Sequence, residues 1–277
     1  MKPSTKKLRS TAGVLSSAFI LTLFAQVALS FLFVERGVQA SAVGVSQVAQ
    51  LIVEDSPFVN VELEAKAAYV FDTSTNKVLY AKNEQEALPL ASITKIMTAL
   101  VARKNATESS IITLKKSDLS TEGDSGLNVG ERWRLGDLLD VALIISSNDA
   151  AHAVANFVGA GGQPHAEESS ADNFVKMMNQ ESQSSNLNTL KFYNETGLDI
   201  EENITSDNKS VTAGAYGSAK DTALLMALLW KTYPLQLEIT ARKDARIVSQ
   251  DGVAHVLPNT NEALGHFSGM IASKTGY

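Results

Sequence analysis

The 277-residue chain contains no cysteine. That absence excludes disulfides, a thiolate metal site, a cysteine nucleophile and a lipid anchor attached through cysteine. Histidine is also sparse. His152, His165, His255 and His266 show no His-Glu-x-x-His spacing, so they read as structural or surface residues and point to no metal site. The glycines at 159, 161 and 162 lack the Gly-Lys-Ser/Thr ending of a phosphate loop. Excess positive charge is missing as well. Residues 1–34 carry Lys2, Lys6, Lys7 and Arg9 with no acid, which leaves 20 basic and 30 acidic side chains in residues 35–277. A nucleic-acid partner has no electrostatic support from such a balance. What remains is ordinary globular usage: 44% hydrophobic and 19% charged residues, in a chain long enough to bury a sizeable core.

One hydrophobic run stands apart. Residues 10–34 are uncharged, rich in Leu, Phe, Val and Ala, preceded by the four basic residues and followed by Glu35 and Arg36. A helix of that length spans roughly 30 Å of hydrocarbon with some tilt, and the basic flank keeps residues 1–9 in the cytoplasm. The expectation is a membrane-insertion segment that sends the rest of the chain outside. An uncleaved anchor is favoured over a secretory signal, because the run exceeds the usual signal-peptide core; Ala40-Ser41-Ala42 is the cleavage site in the alternative.

Residues 35–64 read as a linker, and folded structure is expected over residues 65–277. Two Val-, Tyr- and Phe-rich runs, 67–72 and 77–82, flank Thr73-Ser74-Thr75-Asn76 and predict a hairpin. Residues 90–103 predict a helix with one apolar face, built from Ile93, Ile96, Met97, Leu100 and Val101. A second helix is expected over 135–145 and a third over 150–158, capped by Asp149. Residues 172–182 continue the helical pattern, and Ser218 followed by Asp221 predicts a capped helix over 222–230. Short β-compatible runs at 246–249 and 269–273 follow. The order strands, helices, strands predicts one sheet built from both chain ends with a helical insertion.

Four Ser-x-x-Lys matches occur, at Ser4, Ser74, Ser92 and Ser206, and only Ser92/Lys95 opens an apolar helix. At that spacing the lysine amine reaches the serine hydroxyl on one helical face. Ser92 also sits at the positive end of the helix dipole, where backbone N–H groups suit a developing oxyanion. By itself the pair reads equally well as a capped helix with a solvated lysine. Ser-x-Asn also recurs four times, and only Ser146-Ser147-Asn148 lies in a turn between two apolar helices. Lys274-Thr275-Gly276 occurs once. On a strand, Lys274 and Gly276 share a face, and the glycine lets a ligand backbone lie close.

In that order, Ser92-x-x-Lys95, Ser146-x-Asn148 and Lys274-Thr275-Gly276 resemble the three signatures of the penicillin-recognising serine enzymes. Residues 90–99, Ser147-Asn148-Asp149-Ala150-Ala151, Met178-Asn179, Thr196-Gly197-Leu198-Asp199 and residues 272–277 narrow the likeness to the D-alanyl-D-alanine carboxypeptidase family, over about residues 65–277. The resemblance implies an α/β (α+β) transpeptidase-like fold, an antiparallel sheet flanked by helices with an inserted helical region holding Ser146 and Asn148. It implies that Ser92 is acylated, that Lys95 activates it when neutral, and that Ser146 relays the proton to the leaving amine. Burial and the charge of Lys274 would lower the Lys95 pKa. Asn148 would hold the substrate amide, and Lys274 and Thr275, beside Gly276, would engage the terminal carboxylate. The backbone N–H groups of Ser92 and Tyr277 would form the oxyanion hole. The partners implied are a peptidoglycan stem peptide as substrate and β-lactams as inhibitors, with no metal or organic cofactor.

The family's sheet continues with about two more strands after the third motif, whereas this sequence stops at Tyr277. The expectation is therefore a truncated gene or a fragment, with the Lys274 strand as an uncovered edge. A D,D-endopeptidase of the same family is the nearest rival. A β-lactamase would need a second carboxylate for deacylation, and Glu181 in Glu-x-x-x-x-Asn has the wrong spacing. A catalytically silent cell-wall-binding relative is the rival of a different class.

Overall fold

The computed structural model describes residue 58 and residues 61–119, 123, 125–162, 170–205 and 208–276. The expectations for residues 1–57, for His165 and for Tyr277 lie outside the described residues. Among the described residues no helix is long and apolar enough to cross a membrane.

The predicted hairpin forms: β1 (Ala68–Phe71) pairs antiparallel with β2 (Val78–Lys82), Ala68 facing Lys82 and Val70 facing Tyr80. The Asp72 carboxylate closes the turn by accepting from the backbone of Ser74 at 2.7 Å and of Thr75 at 3.3 Å, as Asp does in turns. After β3 (Leu88–Pro89), a 3-10 turn, Ala91–Thr94, leads into α1 (Lys95–Asn105). Here the structure corrects the one-faced helix. Residues 95–102 are all buried, because α1 is the central helix of the domain. It is surrounded by α2 (Leu135–Ile144), α3 (Asn148–Gly159), α4 (Ser170–Ser184) and α5 (Ala219–Thr232). The apolar residues at three- and four-residue spacing are real, but Ala99 and Ala102 fill the remaining sides where neighbours approach closely.

One cap differs from expectation. Ser147, not Asp149, caps α3: its Oγ accepts from the Ala150 N–H at 3.0 Å, and Asp149 lies in the first turn, where it complements the dipole. Ser218 does cap α5, but the Asp221 carboxylate turns away to accept from the N–H and Oγ of Thr189 at 2.8 and 2.7 Å. That ties α5 to the segment before β6 (Lys191–Phe192).

The described strands form five small antiparallel sheets, not one sheet drawn from both ends. Besides the first hairpin there are β4 (Ile111–Thr113) with β5 (Arg132–Arg134), β7 (Ile200–Thr205) with β8 (Asn208–Thr212), and β9 (Ala215–Gly217) between β3 and β6. The last is β10 (Asp244–Val248) with β11 (Ala254–Pro258). The expected strand at 269–273 is not formed. A turn at Ser249–Val253, closed by Ser249 N–H donating to Val253 at 2.8 Å, returns the chain earlier, so β11 takes the place beside β10. On β11, His255 is a buried structural residue against the Trp133 ring, 5.0 Å between centroids.

Candidate active site

The site begins at the strained entry to α1. Ala91, just before Ser92, has φ +47°, a left-handed conformation unusual for alanine. Gly197, at φ +83°, packs directly against it; a Cβ there would lie 1.9 Å from the Ala91 carbonyl oxygen. The turn carrying Gly197 is itself rigid. The Asn194 side chain accepts from the N–H groups of Thr196 at 3.2 Å and Gly197 at 2.7 Å and donates to Leu198 O at 2.7 Å. Ser92 is thus held half-buried on a buttressed turn at the N-terminal end of the central helix.

Lys95 is 1% exposed, yet every donor of its amine has a place. Nζ donates to Ser92 Oγ at 2.9 Å, to Asn148 Oδ1 at 2.7 Å and to the Thr196 carbonyl at 3.0 Å. Burial, reinforced by the positive charge of Lys274 and opposed by Glu195, pushes its pKa down to about 7. Both effects foreseen in the sequence are present, and the opposing Glu195 is an addition. A neutral amine in this cage would donate to Asn148 and Thr196 and turn its lone pair to the Ser92 hydroxyl.

Ser146 follows α2 at φ +61°, so the non-glycine residue pays a local conformational cost to project its side chain. Its Oγ accepts from Lys274 Nζ at 2.9 Å. Asn148 opens α3 and bonds Lys95, as given above. Lys274 also donates to the Thr275 carbonyl at 2.9 Å, and burial lowers its pKa to about 8. The segment is not on a strand, contrary to expectation. It is fixed instead by Ser273, whose N–H and Oγ bond Thr240 Oγ1 and O at 2.9 Å each, and by Thr275 Oγ1 against Thr260 Oγ1 at 2.7 Å. A Cβ on Gly276 would come within 2.9 Å of the Leu90 carbonyl, so the glycine permits this segment to lie on the turn bearing Ser92. The structure therefore brings Ser92, Lys95, Ser146, Asn148, Lys274, Thr275 and Gly276 to one place, from three distant parts of the chain.

Three participants escaped the sequence reading. Thr196 supplies a carbonyl to Lys95, and Glu195 supplies a charge near it. His152, read as structural or surface, lies with Nδ1 2.7 Å from the Glu195 carboxylate. The one available signal was the Thr196-Gly197-Leu198-Asp199 segment, which marks the region but not the carbonyl or the neighbouring charge. Glu181 is far from this centre. It pairs with Lys104 at 2.6 Å, nine residues along α1 from Lys95 and thus roughly 13 Å along the helix axis. It is not placed to deacylate an ester on Ser92.

Comparison with known proteins agrees with this arrangement. The sequence matches the family described as D-alanyl-D-alanine carboxypeptidase over residues 52–277. It is 31% identical over 220 residues to D-alanyl-D-alanine carboxypeptidase DacF of Bacillus subtilis, covering 77% of this chain and 51% of that protein. It is 28% identical over 222 residues to a D-alanyl-D-alanine endopeptidase of Escherichia coli, covering 78% and 64%. The chain thus spans about half to two thirds of the length of these relatives. Among solved structures, a D-alanyl-D-alanine carboxypeptidase of Mycobacterium tuberculosis aligns with TM-score 0.64 at 26% identity, covering 80% of this chain and 77% of that one. Penicillin-binding protein D2 of Listeria monocytogenes, in an ampicillin-bound form, aligns with TM-score 0.60 at 27% identity, covering 79% and 81%.

Proposed function

The chain belongs to the D-alanyl-D-alanine carboxypeptidase family, and we propose that it removes the terminal D-Ala from peptidoglycan stem peptides through an acyl-enzyme on Ser92. The observation that carries this reading is the buried Lys95 amine, 2.9 Å from Ser92 Oγ. Neutral Lys95 takes the Ser92 proton as Oγ attacks the penultimate D-Ala carbonyl. The oxyanion hole is assigned, as the family resemblance implies, to the backbone N–H groups of Ser92 and Tyr277. The C–N bond then breaks, and the proton returns from Lys95 through Ser146 to the departing D-Ala amine. Water attacks the ester, gives its proton to Lys95, and releases the shortened peptide with Ser92 restored. Asn148 orients the substrate amide, and Lys274 with Thr275 receives the terminal carboxylate beside Gly276.

By the same reading the domain works outside the cytoplasm, tethered to the membrane by residues 10–34, and β-lactams acylate Ser92. A D,D-endopeptidase activity is the second reading, favoured by the similarity to the E. coli endopeptidase. Incubation with a pentapeptide ending in D-Ala-D-Ala, and separately with a D,D-cross-linked dimer, tests the assignment. Release of free D-Ala from the pentapeptide in preference to dimer cleavage is expected; the reverse preference makes the chain an endopeptidase, and no cleavage of either removes the proposal.

The pH dependence follows from the two lysines. Lys95 must be neutral, so kcat/KM rises through its pKa of about 7; Lys274 must be charged, so kcat/KM falls through its pKa of about 8. A narrow bell with its maximum between these values is expected for the pentapeptide. A plateau extending two or more units above the acid limb contradicts the role given to Lys274.

A further inference from the structure

Behind the reacting centre, one turn of α1 grips two consecutive carbonyls. Lys95 donates to Thr196 O at 3.0 Å, and Thr98 Oγ1 donates to Glu195 O at 2.6 Å. The backbone that receives the Lys95 amine therefore also fixes the buried Glu195 side chain. On its other side the Glu195 carboxylate meets His152 Nδ1 at 2.7 Å. His152 lies four residues after Asn148 on the same face of α3. The elements that carry two acceptors of Lys95, the Asn148 side chain and the Thr196 carbonyl, are thereby joined behind it by the His152–Glu195 contact.

We propose that His152 and Glu195 form a positioning unit that holds the Lys95 cage together and governs how readily its amine gives up a proton. The inference rests on the reading of Lys95 as the base. Lys95 faces Lys274 and Glu195, of opposite sign; His152 faces Glu195 first, then Asp118 and Asp149. Glu195 alone favours the charged form of Lys95 and so makes it a poorer acceptor of the serine proton. His152, whose pKa is raised by its hydrogen bond to Glu195, offsets the carboxylate in its protonated form. The buried carboxylate thus anchors the backbone without disabling the base.

The test is the rate of acylation by benzylpenicillin between about pH 5 and 9, with the full chain, in wild type, Glu195→Gln, His152→Gln and the double variant. Glutamine retains the shape and hydrogen-bonding reach of glutamate while removing its charge. Glu195→Gln is expected to move the acid limb down by about one unit, the low end for loss of a nearby opposite charge. His152→Gln, leaving Glu195 uncompensated, moves it up by about half a unit, and the double variant behaves like Glu195→Gln. A merely structural pair would lower Tm or the maximal rate without displacing the limbs in opposite directions. Unmoved limbs in variants that still form the adduct overturn this inference and leave the acyl-enzyme reading standing. Absence of an adduct in the wild type at every pH overturns that reading itself. Should Glu195→Gln not fold, the upward displacement in His152→Gln decides, and its absence overturns the inference.

Discussion

Lys95→Met should reduce the rate of Ser92 acylation by about a thousandfold, within the range for loss of a general base. Methionine keeps the length and apolar stem of the lysine, so α1 retains its central packing among four helices. What it removes is the atom that bonds Ser92 Oγ, Asn148 Oδ1 and the Thr196 carbonyl together. Those acceptors lose a partner at a cost of about 1–3 kcal/mol each where water cannot replace it, offset by no longer burying an amine. Stability should change modestly while acylation collapses, and stopped-flow acylation alongside thermal unfolding separates the two. A loss below about tenfold would show that another group takes the serine proton.

Lys274→Ala should lower kcat/KM for a D-Ala-D-Ala peptide by about a hundredfold to a thousandfold, the scale for removing one preorganised donor to developing or fixed negative charge. The substitution also has a signature that simple loss of binding does not. Lys274 is one cause of the lowered Lys95 pKa, so removing its charge lets Lys95 hold its proton longer and moves the acid limb to higher pH. The alkaline limb near 8, assigned to Lys274 itself, disappears. Ser146 loses its donor at 2.9 Å, and the serine rotor becomes free. A pH series of kcat/KM reads both limb effects; an unshifted acid limb would mean that the two lysines do not feel each other.

Much of this centre was legible because its chemistry lies in short, ordered segments. Ser92 and Lys95 are three apart, and that spacing alone brings their side chains together once the helix forms. The β1–β2 hairpin and the Ser218 cap were equally local, since a turn rich in Ser, Thr and Asn or a cap hydroxyl acts on its own neighbours. The failures share the opposite character. The one-faced pattern at 90–103 does not reveal that small alanines let neighbours close over the remaining surface of α1. Residues 269–273 have strand propensity but pair with none of the described strands, and β10 pairs with the nearer β11 instead. Propensity states what a segment tolerates, and pairing decides what it becomes. Ser147 displaced Asp149 as the cap because a cap needs the residue outside the first helical turn, and the helix starts two residues earlier than the apolar pattern suggested. The Thr196 carbonyl was beyond reach for another reason. A backbone acceptor has no sequence signature, and its 101-residue separation from Lys95 is bridged only by the fold. The Glu195–His152 pair, 43 residues apart, is the same case.

The most direct test of the central claim is intact mass spectrometry of the purified full chain mixed with benzylpenicillin, followed over time, beside a Ser92→Ala variant with unchanged Tm. The account predicts a long-lived increment equal to one whole penicillin, mapped to Ser92 and absent from the variant, because attack opens the β-lactam ring without releasing a fragment. Glu181, held by Lys104 far along α1, is not placed to hasten its loss. An increment that persists in Ser92→Ala, or wild-type protein that folds and never gains mass, would contradict the assignment of Ser92 as nucleophile.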